Sequence, residues 1–406
     1  MSILNENYHQ NKHLLTKGMG SYVYNKSKKY LDLTSGGGCL LLGHNNKIFK
    51  RSIKEFLRMQ ISNFAAPNEF AKKLSLSLIK IFPQFKKIIF CNSGAEANLK
   101  ALRICRALTK KDMVINVAGS WHGSVDQFLF TSDKNNNPIA ISEGLEKNNK
   151  KNLIYIPYND IKNSIKILEK NKTKISCVFL EPIQACLPDK NSENYLKFIS
   201  EYCKKNNIIL VLDEIITGLR IDGSSIQNKL KLYSDISTFG KAFGNGLPIS
   251  FIGISEKIYK KIIVNKKKIF FGGTFSGNSL SAYVSNETLK YIIKNKKTIF
   301  SKLKSYSLTF RDSINKFAEF YNIKIKVYAY DSIIRIIFSN KKIKNRVQRD
   351  FLEKKNNKNV GNFYQFLFKK KIIYPKNGII FLSHSINNND LKYLINNIKY
   401  GLKKFF

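Results

Sequence analysis

Short apolar runs rich in Ile, Val and Phe alternate along the chain with longer amphipathic segments. Because such runs suit buried strands and amphipathic segments suit helices, the alternation is typical of an α/β domain with a mainly parallel sheet. The pattern predicts helices that include residues 94–108 and 192–205. It predicts strands at residues 87–91, 113–117, 177–180, 208–212, 236–239 and 251–254.

The pattern changes after about residue 288, where helices and strands no longer alternate in the same way. Apolar runs at residues 324–327 and 332–338 predict strands, and an amphipathic segment near residues 387–399 predicts a helix. These elements indicate a smaller α+β domain at the C-terminal end. Two polar stretches are predicted to be loops: residues 133–152 and 354–359.

The composition indicates a large hydrophobic core and shows an unusually high positive charge. The 406 residues are 43% hydrophobic, and 70 Lys and Arg against 28 Asp and Glu give a net charge of +42. Such a charge raises nucleic acid or an anionic membrane as a partner. However, the basic residues are mostly Lys and are mixed with Asn, Ile, Phe and Tyr, which all have A/T-rich codons. We interpret the charge as the product of a biased genome and expect no specific nucleic-acid partner. Polyanion binding without catalysis stays as an alternative.

The sequence also leads us to expect that the protein is neither a membrane protein, nor a secreted protein, nor a metalloprotein. No apolar run is long enough to span a membrane, and residues 1–8 lack the apolar core of a signal peptide, so we expect a cytoplasmic protein that does not bind membranes. The six cysteines include no Cys-x-x-Cys pair and indicate free thiols in a reducing compartment. The five histidines include no closely spaced pair, so we expect no metal site.

The first stretch with candidate chemistry is residues 92–98, which follows a predicted strand and opens a predicted helix. The backbone N–H groups of Ser93, Gly94 and Ala95 would lie at the positive end of that helix, where an anion such as a phosphate binds. The alternative is that Ser93 is a simple helix N-cap.

The second stretch, residues 119–123, contains Trp121, the only tryptophan of the chain. It lies in a turn after a predicted strand, where its flat ring could stack on a planar ligand. The alternative places Trp121 in the core, with His122 hydrogen-bonded to the backbone.

The third stretch places Asp213 and Glu214 at the end of an apolar strand. Burying a carboxylate requires a cation or a hydrogen-bond donor, so Asp213 implies a partner. For Glu214 we favour ordinary structural pairing with Arg220 or another cation over direct catalysis.

The fourth stretch, residues 237–248, surrounds Lys241 with small and aromatic residues and no charged neighbour. Such surroundings disfavour the ammonium form, lower the pKa and make the amine available for a Schiff base. The alternative is an ordinary loop lysine beside glycines.

The order and spacing of these four stretches resemble the class III aminotransferases that depend on pyridoxal 5'-phosphate (PLP), which have the aspartate aminotransferase fold, fold type I. Within this family the chain is most similar to the branch that contains glutamate-1-semialdehyde 2,1-aminomutase. The resemblance covers about residues 30–288 and includes residues 42–45 and 273–278. It returns weakly at residues 381–384. It implies a large PLP-binding domain at 46–288, a small domain at 289–406, and a segment at 1–45 that joins the small domain.

The resemblance also implies roles for individual residues. Lys241 would form the Schiff base with PLP and carry the proton, and Asp213 would pair with the pyridine nitrogen. Thr274 would reach the phosphate bound to a neighbouring subunit, which implies a homodimer. The other residues implied to bind the cofactor are Ser93, Gly94 and Ala95 at the phosphate, Trp121 over the ring and Gln184 near the phenolic oxygen.

The sequence departs from the aminomutase pattern at positions that bear on the substrate. Ala95 stands where a threonine is usual, Trp121 stands where tyrosine or phenylalanine is common, and Cys186 stands where Asn or an acidic residue is expected. Residues 374–378 lack an expected acidic group. Arg220 is interpreted as structural, and Arg335 is a weaker candidate for holding a substrate carboxylate.

The resemblance implies an enzyme that transfers an amino group between a small-molecule donor and an aldehyde or keto acceptor through a pyridoxamine intermediate. The alternative is the aminomutase, which returns the amino group to the same carbon skeleton.

Overall fold

The computed structural model describes residues 14–64, 66–343 and 346–406. Its strands are β1 (Lys17–Met19), β2 (Tyr22–Asn25), β3 (Lys28–Asp32), β4 (Phe85–Cys91), β5 (Met113–Val117), β6 (Phe130–Ser132), β7 (Pro138–Ala140), β8 (Leu153–Ile156), β9 (Ile175–Leu180), β10 (Ile209–Asp213), β11 (Ile236–Phe239), β12 (Ser250–Ser255), β13 (Lys326–Tyr330), β14 (Ile333–Ile337), β15 (Ile372–Ile373) and β16 (Ile379–Phe381).

The helices range from one turn to 25 residues. They are α1 (Ser35–Gly38), α2 (Lys47–Arg58), α3 (Glu69–Ile81), α4 (Gly94–Thr109), α5 (Lys147–Lys151), α6 (Ile161–Asn171), α7 (Glu193–Lys205), α8 (Ile226–Leu230), α9 (Glu256–Val264), α10 (Ser279–Lys294), α11 (Lys296–Phe320), α12 (Arg346–Glu353), α13 (Asn357–Lys369) and α14 (Asn388–Phe405). Short 3₁₀ segments occupy Lys190–Ser192, Lys241–Gly244 and Lys354–Asn356.

A seven-stranded sheet in the order β4-β12-β11-β10-β9-β5-β8 forms the centre of the fold. Strands β8, β5, β9, β10 and β11 run parallel, and β12 alone runs opposite to its two neighbours. Apolar residues fill this sheet because helices cover it; every residue of β10 is buried. The mainly parallel sheet confirms the predicted α/β class.

The strand and helix predictions in this part of the chain hold to within two residues at each end. The edge strand β8 was not predicted. The prediction that residues 133–152 form only a loop is wrong, because they contain β7 and α5, and β7 pairs with β6 in a two-stranded sheet. The prediction of a loop at residues 354–359 is also wrong, because a 3₁₀ turn there leads directly into α13.

The C-terminal part contains a three-stranded antiparallel sheet in the order β13-β14-β16. The N-terminal strands β1 to β3 form a separate sheet with β15, so the N-terminal strands contact the C-terminal part. One buried apolar cluster includes side chains of β11, β12, α11 and α14 and thus joins the central sheet to the C-terminal part. The division into residues 1–45, 46–288 and 289–406 stays a prediction.

Two searches over the described ranges bear on the function. None of the helices there is both long and apolar enough to cross a membrane. The same residues contain no group of three or more His, Cys, Asp or Glu side chains that could hold a metal ion.

Candidate active site

The turns that carry the predicted chemistry meet at one edge of the central sheet. Strands β4, β5, β9, β10 and β11 point in the same direction, so their carboxyl ends lie together. The four stretches singled out in the sequence follow β4, β5, β10 and β11, and residues 181–186 follow β9. Open α/β sheets place their ligand sites at this edge.

Asp213, the last residue of β10, is buried and held by hydrogen bonds from three directions. Its Oδ2 accepts from Nδ1 of His122 at 2.7 Å and from Nδ2 of Asn98 at 2.8 Å. Its Oδ1 accepts from the backbone N–H of Ile215 at 3.0 Å. Thr238 in β11 donates to Oδ1 of Asn98 at 2.7 Å, which sets the orientation of the amide. The carboxylate therefore has a fixed orientation, and its Oδ1 retains capacity for a further donor.

This arrangement answers the question of what Asp213 pairs with. The partner is His122, which was expected to bond the backbone if Trp121 were a core residue. Asn98 was missed by the sequence reasoning. The available signal was a polar residue on the face of α4 that also carries the buried Ala97, Ala101 and Leu102.

Lys241 opens a 3₁₀ turn after β11 with a φ of 46°, a left-handed conformation that costs energy for a residue with a side chain. Burial lowers the pKa of its ammonium group. The carboxylates of Glu181 and Asp213 oppose that shift, and the guanidinium of Arg220 adds to it. Its Nζ lies 6.0 Å from the centre of the Phe381 ring. Deprotonation to the nucleophilic amine is therefore easier than for an exposed lysine, as predicted from the lack of charged neighbours in the sequence.

Glu181 connects two turns of the site and was not predicted to act there. Its Oε2 accepts from the backbone N–H of Trp121 at 3.2 Å, and its Oε1 accepts from that of Ala185 at 3.1 Å. Burial, followed by repulsion from Asp213, raises the pKa of Glu181 to about 7. A carboxyl group with such a pKa can hold or release a proton near neutral pH.

At the start of α4, the role of Ser93 as an N-cap is compatible with an anion site at the same helix end. Its Oγ accepts from the backbone N–H of Glu96 at 3.2 Å, so Ser93 is the N-cap. The first N–H groups of a helix have no intrahelical acceptor and can bind an anion as well. Gly123, with a φ of 99°, lies close to Ala95 in the first turn of α4. A Cβ atom on Gly123 would lie 2.7 Å from the Cβ of Ala95. Glycine at this position keeps the N-terminus of α4 open.

Trp121, Gln184 and Thr274 lie in different surroundings. Trp121 is 46% exposed, which argues against a place in the core. Gln184 is buried, and its Nε2 donates to the carbonyl of Ala118 at 3.0 Å and to Oγ of Ser120 at 3.1 Å. Thr274 is exposed on the loop between α9 and α10. Their contacts with a cofactor stay predictions.

The loop that carries Thr274 is fixed to the site by Lys100, a buried lysine of α4 that the sequence reasoning missed. Its Nζ pairs with Oε1 of Glu96 at 2.6 Å and donates to the carbonyl of Phe271 at 2.8 Å. Asn63 donates to the carbonyl of Thr274 at 3.1 Å. The loop is therefore held beside the N-terminus of α4 while the Thr274 side chain faces outward.

The expected pairing of Glu214 with Arg220 is wrong. Glu214 accepts from the backbone N–H groups of Ile226 at 3.1 Å and Gln227 at 2.7 Å. Arg220 instead donates to carbonyls of the N-terminal and C-terminal parts, those of Gly38 and Leu382. Glu214 directly follows β10, whereas Arg220 lies further along the turn, and each finds its partners in a different part of the chain. Both retain the structural roles that were predicted for them.

The residues fit the cofactor that the resemblance implies. Asp213 offers a buried, oriented acceptor for a protonated ring nitrogen. Lys241 offers an amine of lowered pKa for a carbonyl carbon, and the N-terminus of α4 offers free donors for a phosphate. Gly119, with a φ of 95°, lets its turn approach Gln184 closely, because a Cβ atom there would lie 2.6 Å from Oε1 of Gln184.

Comparison with known proteins points to one family. The profile of "Aminotransferase class-III" matches residues 3–362. Glutamate-1-semialdehyde 2,1-aminomutase of Nitrosopumilus maritimus is 31% identical over 396 residues, which covers 95% of this chain and 91% of the relative. Neither comparison supports a polyanion-binding protein without catalytic activity.

Solved structures agree on the fold. An omega-transaminase from Sphaerobacter thermophilus superposes with a TM-score of 0.86 at 20% identity, over 96% of this chain and 90% of its own. A glutamate-1-semialdehyde-aminomutase from Pseudomonas aeruginosa in complex with PMP superposes with a TM-score of 0.86 at 16% identity, over 97% and 88%.

Proposed function

Because the chain belongs to the class III aminotransferase family, whose members depend on PLP, we propose that it transfers an amino group between an amino donor and an aldehyde or keto acceptor. The observation that carries this proposal is the desolvated amine of Lys241 at the same sheet edge as Asp213, whose carboxylate is oriented by His122 and Asn98. A structural lysine does not need a lowered pKa, whereas a nucleophile does.

When bound, PLP supplies an electron sink for charge that develops at the substrate carbon. Asp213 would keep the ring nitrogen protonated, because a buried carboxylate with fixed donors cannot turn away. Lys241 would hold the cofactor and, once displaced by the donor, would carry a proton between two carbon atoms. Ser93, Gly94 and Ala95 would hold the phosphate. Trp121 would stack over the ring, and Gln184 would lie near the phenolic oxygen.

The first experiment asks where the cofactor is attached. Borohydride reduction of the holoenzyme followed by peptide mass mapping should place the cofactor mass on the peptide that contains Lys241. Lys241→Ala should abolish the visible absorption band and amino transfer. Lys86→Ala, which removes an exposed lysine paired with Glu256, should change neither. Cofactor found on another lysine, or full activity of Lys241→Ala, contradicts the proposal.

A second candidate function is intramolecular amino transfer, favoured by the 31% identity with a glutamate-1-semialdehyde 2,1-aminomutase. We place it second because Ala95, Cys186 and residues 374–378 depart from the pattern expected of that enzyme. Conversion of glutamate-1-semialdehyde to the isomer that carries the amino group on carbon 1 instead of carbon 2, with no second amino acceptor, supports the aminomutase. A single half-reaction that stops at the pyridoxamine form supports the transaminase.

We also propose that the enzyme is a cytoplasmic homodimer in which Thr274 completes the site of the neighbouring subunit. Support comes from the exposed loop of Thr274, which presents Phe270 and Phe275 at 74% and 61% exposure. Large exposed apolar side chains beside a site are typical of an interface.

Subunit complementation tests the shared site. Lys241→Ala and Thr274→Arg should each be inactive alone, whereas unfolding and refolding the two together should restore activity. The mixed dimer then contains one site with both native residues. If the mixture stays inactive although mixed dimers form, Thr274 does not serve the neighbouring subunit.

A further inference from the structure

The loop between α9 and α10, residues 265–278, carries Thr274, and we call it the Thr274 loop. It lies within the described residues and forms no strand or α-helix, so the hydrogen bonds of regular structure do not fix its course. Instead, four of its carbonyl groups accept hydrogen bonds from side chains outside the loop. The donor and acceptor residues are Arg103 and Phe270 at 2.8 Å, Lys100 and Phe271 at 2.8 Å, Asn63 and Thr274 at 3.1 Å, and Asn68 and Gly277 at 2.9 Å. These four bonds tie the loop to α4 and to the segment before α3.

Lys100 differs from the other three donors because its side chain is buried. Only 5% of that side chain is exposed, whereas Arg103 and Asn63 are exposed and Asn68 is partly exposed. Burying an ammonium group costs free energy even when it is paired, and an apolar residue at this position of α4 would serve the helix at a lower cost. The stability of α4 alone therefore does not explain a lysine at this position.

Lys100 pairs with Glu96, which lies one turn earlier in α4, and the pair is ionic. Its Nζ lies 2.6 Å from Oε1 of Glu96, and Oε2 of Glu96 accepts from the backbone N–H of Asn92 at 2.8 Å. Burial alone would raise the pKa of Glu96, but the hydrogen bonds from Lys100 and Asn92 outweigh it and lower that pKa. Burial raises the pKa of the adjacent Cys91 thiol to about 12, so this thiol adds no charge near neutral pH. The ammonium and the carboxylate thus neutralise each other.

The carboxylate of this pair contacts the Thr274 loop on both sides of Thr274. Before Thr274, a Cβ atom on Gly273 would lie 3.4 Å from Oε1 of Glu96, so the loop backbone packs against this carboxylate. After Thr274, Ser276 donates from Oγ to the same Oε1 at 3.4 Å. The backbone that carries Thr274 is therefore fixed from within the protein, while the residue itself stays exposed.

We propose that Lys100 is a positioning residue for the cofactor phosphate: it holds the Thr274 loop in the shape in which Thr274 reaches the phosphate bound to the neighbouring subunit. This inference rests on the proposed PLP enzyme and on its proposed homodimer. Lys100 acts through the loop, because its Nζ is already occupied by Glu96 and by the carbonyl of Phe271. A loop that is fixed before the cofactor arrives loses less conformational entropy on binding, and this preorganisation strengthens phosphate binding.

A ligand without the phosphate separates this role from a general structural one. Apoenzyme is titrated with PLP and with pyridoxal, which lacks the phosphate, and the visible absorption band of the bound ligand reports binding. Lys100→Met should raise the dissociation constant of PLP by roughly 10-fold, the effect of losing about one hydrogen bond to a charged group. The dissociation constant of pyridoxal should stay within about twofold of the native value, since pyridoxal offers the loop no phosphate. An equal loss for both ligands, or no loss for either, overturns the inference.

Three further variants control this comparison. Lys100→Arg retains the charge and the N–H donors and should recover part of the PLP affinity. Lys260→Met removes an exposed lysine of α9 that pairs with Glu256 at 3.7 Å, and it should change neither dissociation constant. If Lys100→Met fails to fold, Arg103→Met tests the same loop from an exposed position: it should weaken PLP binding by about 2- to 5-fold and leave pyridoxal binding unaffected. An Arg103→Met protein that binds both ligands as native protein does would then overturn the inference.

Mixed dimers show which subunit Lys100 serves. One subunit carries Lys241→Ala and the other carries Lys100→Met, each with its own affinity tag so that only mixed dimers are purified. The one site with a native Lys241 then receives its Thr274 loop from the subunit with a native Lys100. Its dissociation constant for PLP should therefore return to the native value. A constant as high as that of the Lys100→Met dimer would mean that Lys100 acts on its own subunit, which contradicts the inference.

The outcomes distinguish this inference from the proposed function. If Lys100→Met shows the phosphate-selective loss but native protein transfers no amino group, the proposed function fails and the inference stands. If native protein transfers amino groups while Lys100→Met binds PLP and pyridoxal as native protein does, only the inference fails.

Discussion

Glu214 follows Asp213 directly, yet the two carboxylates lie in different surroundings. Asp213 faces His122 and Asn98, whereas Glu214 is fully buried beneath two backbone N–H groups at the start of α8. Burial is the main cause that raises the pKa of Glu214 from an ordinary value of 4.5 to about 7. Asp213 is the last residue of β10, and Glu214 is the first residue beyond it. Because successive side chains at the end of a strand point to opposite faces, the adjacent acids acquire different partners.

The raised pKa of Glu214 leads to a prediction about how the free energy of unfolding depends on pH. A raised carboxyl pKa means that the native state binds more protons than the unfolded state between pH 4.5 and about 7. The free energy of unfolding therefore falls as pH rises through that window. Glu214→Gln should flatten the dependence by on the order of 1–3 kcal/mol. Urea unfolding of the apoenzyme at several pH values measures it.

The matched control for Glu214→Gln is Glu256→Gln, which replaces a half-exposed glutamate at the start of α9. Its pH dependence should equal that of the native protein. A pH dependence of stability that Glu214→Gln leaves unaltered contradicts the assignment.

At the scale of elements, the strand ends were predictable because each carries a local signal. An apolar run followed by small or polar residues marks a buried strand and its turn, and β5 and β11 have the predicted bounds. Polar segments offer no such signal. Strand β7 lies in a stretch rich in Asn and Lys, and it forms because β6 supplies the pairing partner. Its existence therefore depends on another element.

The N-cap of α4 carries a prediction at this scale. Ser93→Ala should lower the free energy of unfolding by about 1 kcal/mol, because an N-cap hydrogen bond is lost. It should also weaken PLP binding, since the first turn of α4 loses its fixed geometry beside the proposed phosphate site. Chemical unfolding and a cofactor titration measure the two effects.

Ser255→Ala is the matched control, because Ser255 caps α9 by the same bond to the third helical residue, Ile258. It should lower stability by a similar amount and leave PLP affinity unchanged. If Ser93→Ala and Ser255→Ala bind PLP with equal affinity, Ser93 is not part of the phosphate site.

At the scale of the whole molecule, Arg220 joins segments that lie far apart in the chain. Its guanidinium donates to Gly38 at the N-terminal end and to Ser332 and Leu382 at the C-terminal end. Burial lowers its pKa to about 10, so it stays charged near neutral pH although it makes no ion pair with a described residue. Backbone carbonyls and a hydroxyl take the place of a counterion.

Removing this junction should destabilise the fold as a unit. Arg220→Met leaves buried carbonyl groups of Gly38 and Leu382 without donors, and the free energy of unfolding should fall by about 2–4 kcal/mol. Urea unfolding followed by circular dichroism measures the change. Arg311→Met, at a partly exposed site, should alter stability by less than about 0.5 kcal/mol. If Arg220→Met and Arg311→Met lower the free energy of unfolding by similar amounts, the hydrogen bonds of Arg220 do not stabilise the contact between these segments.

The sequence by itself pointed to the residues that we propose carry the chemistry, because Lys241, Asp213 and the Ser93 turn each lie at or just after the end of an apolar strand. It also determined the α/β class and, through the resemblance, the family. Only the tertiary structure decided the partners. Asp213 meets His122 and Asn98, Glu214 does not meet Arg220, and Lys100 reaches the carbonyl of Phe271. Those choices depend on strand order and on how the C-terminal part packs, and no local pattern encodes contacts between residues so far apart in the chain.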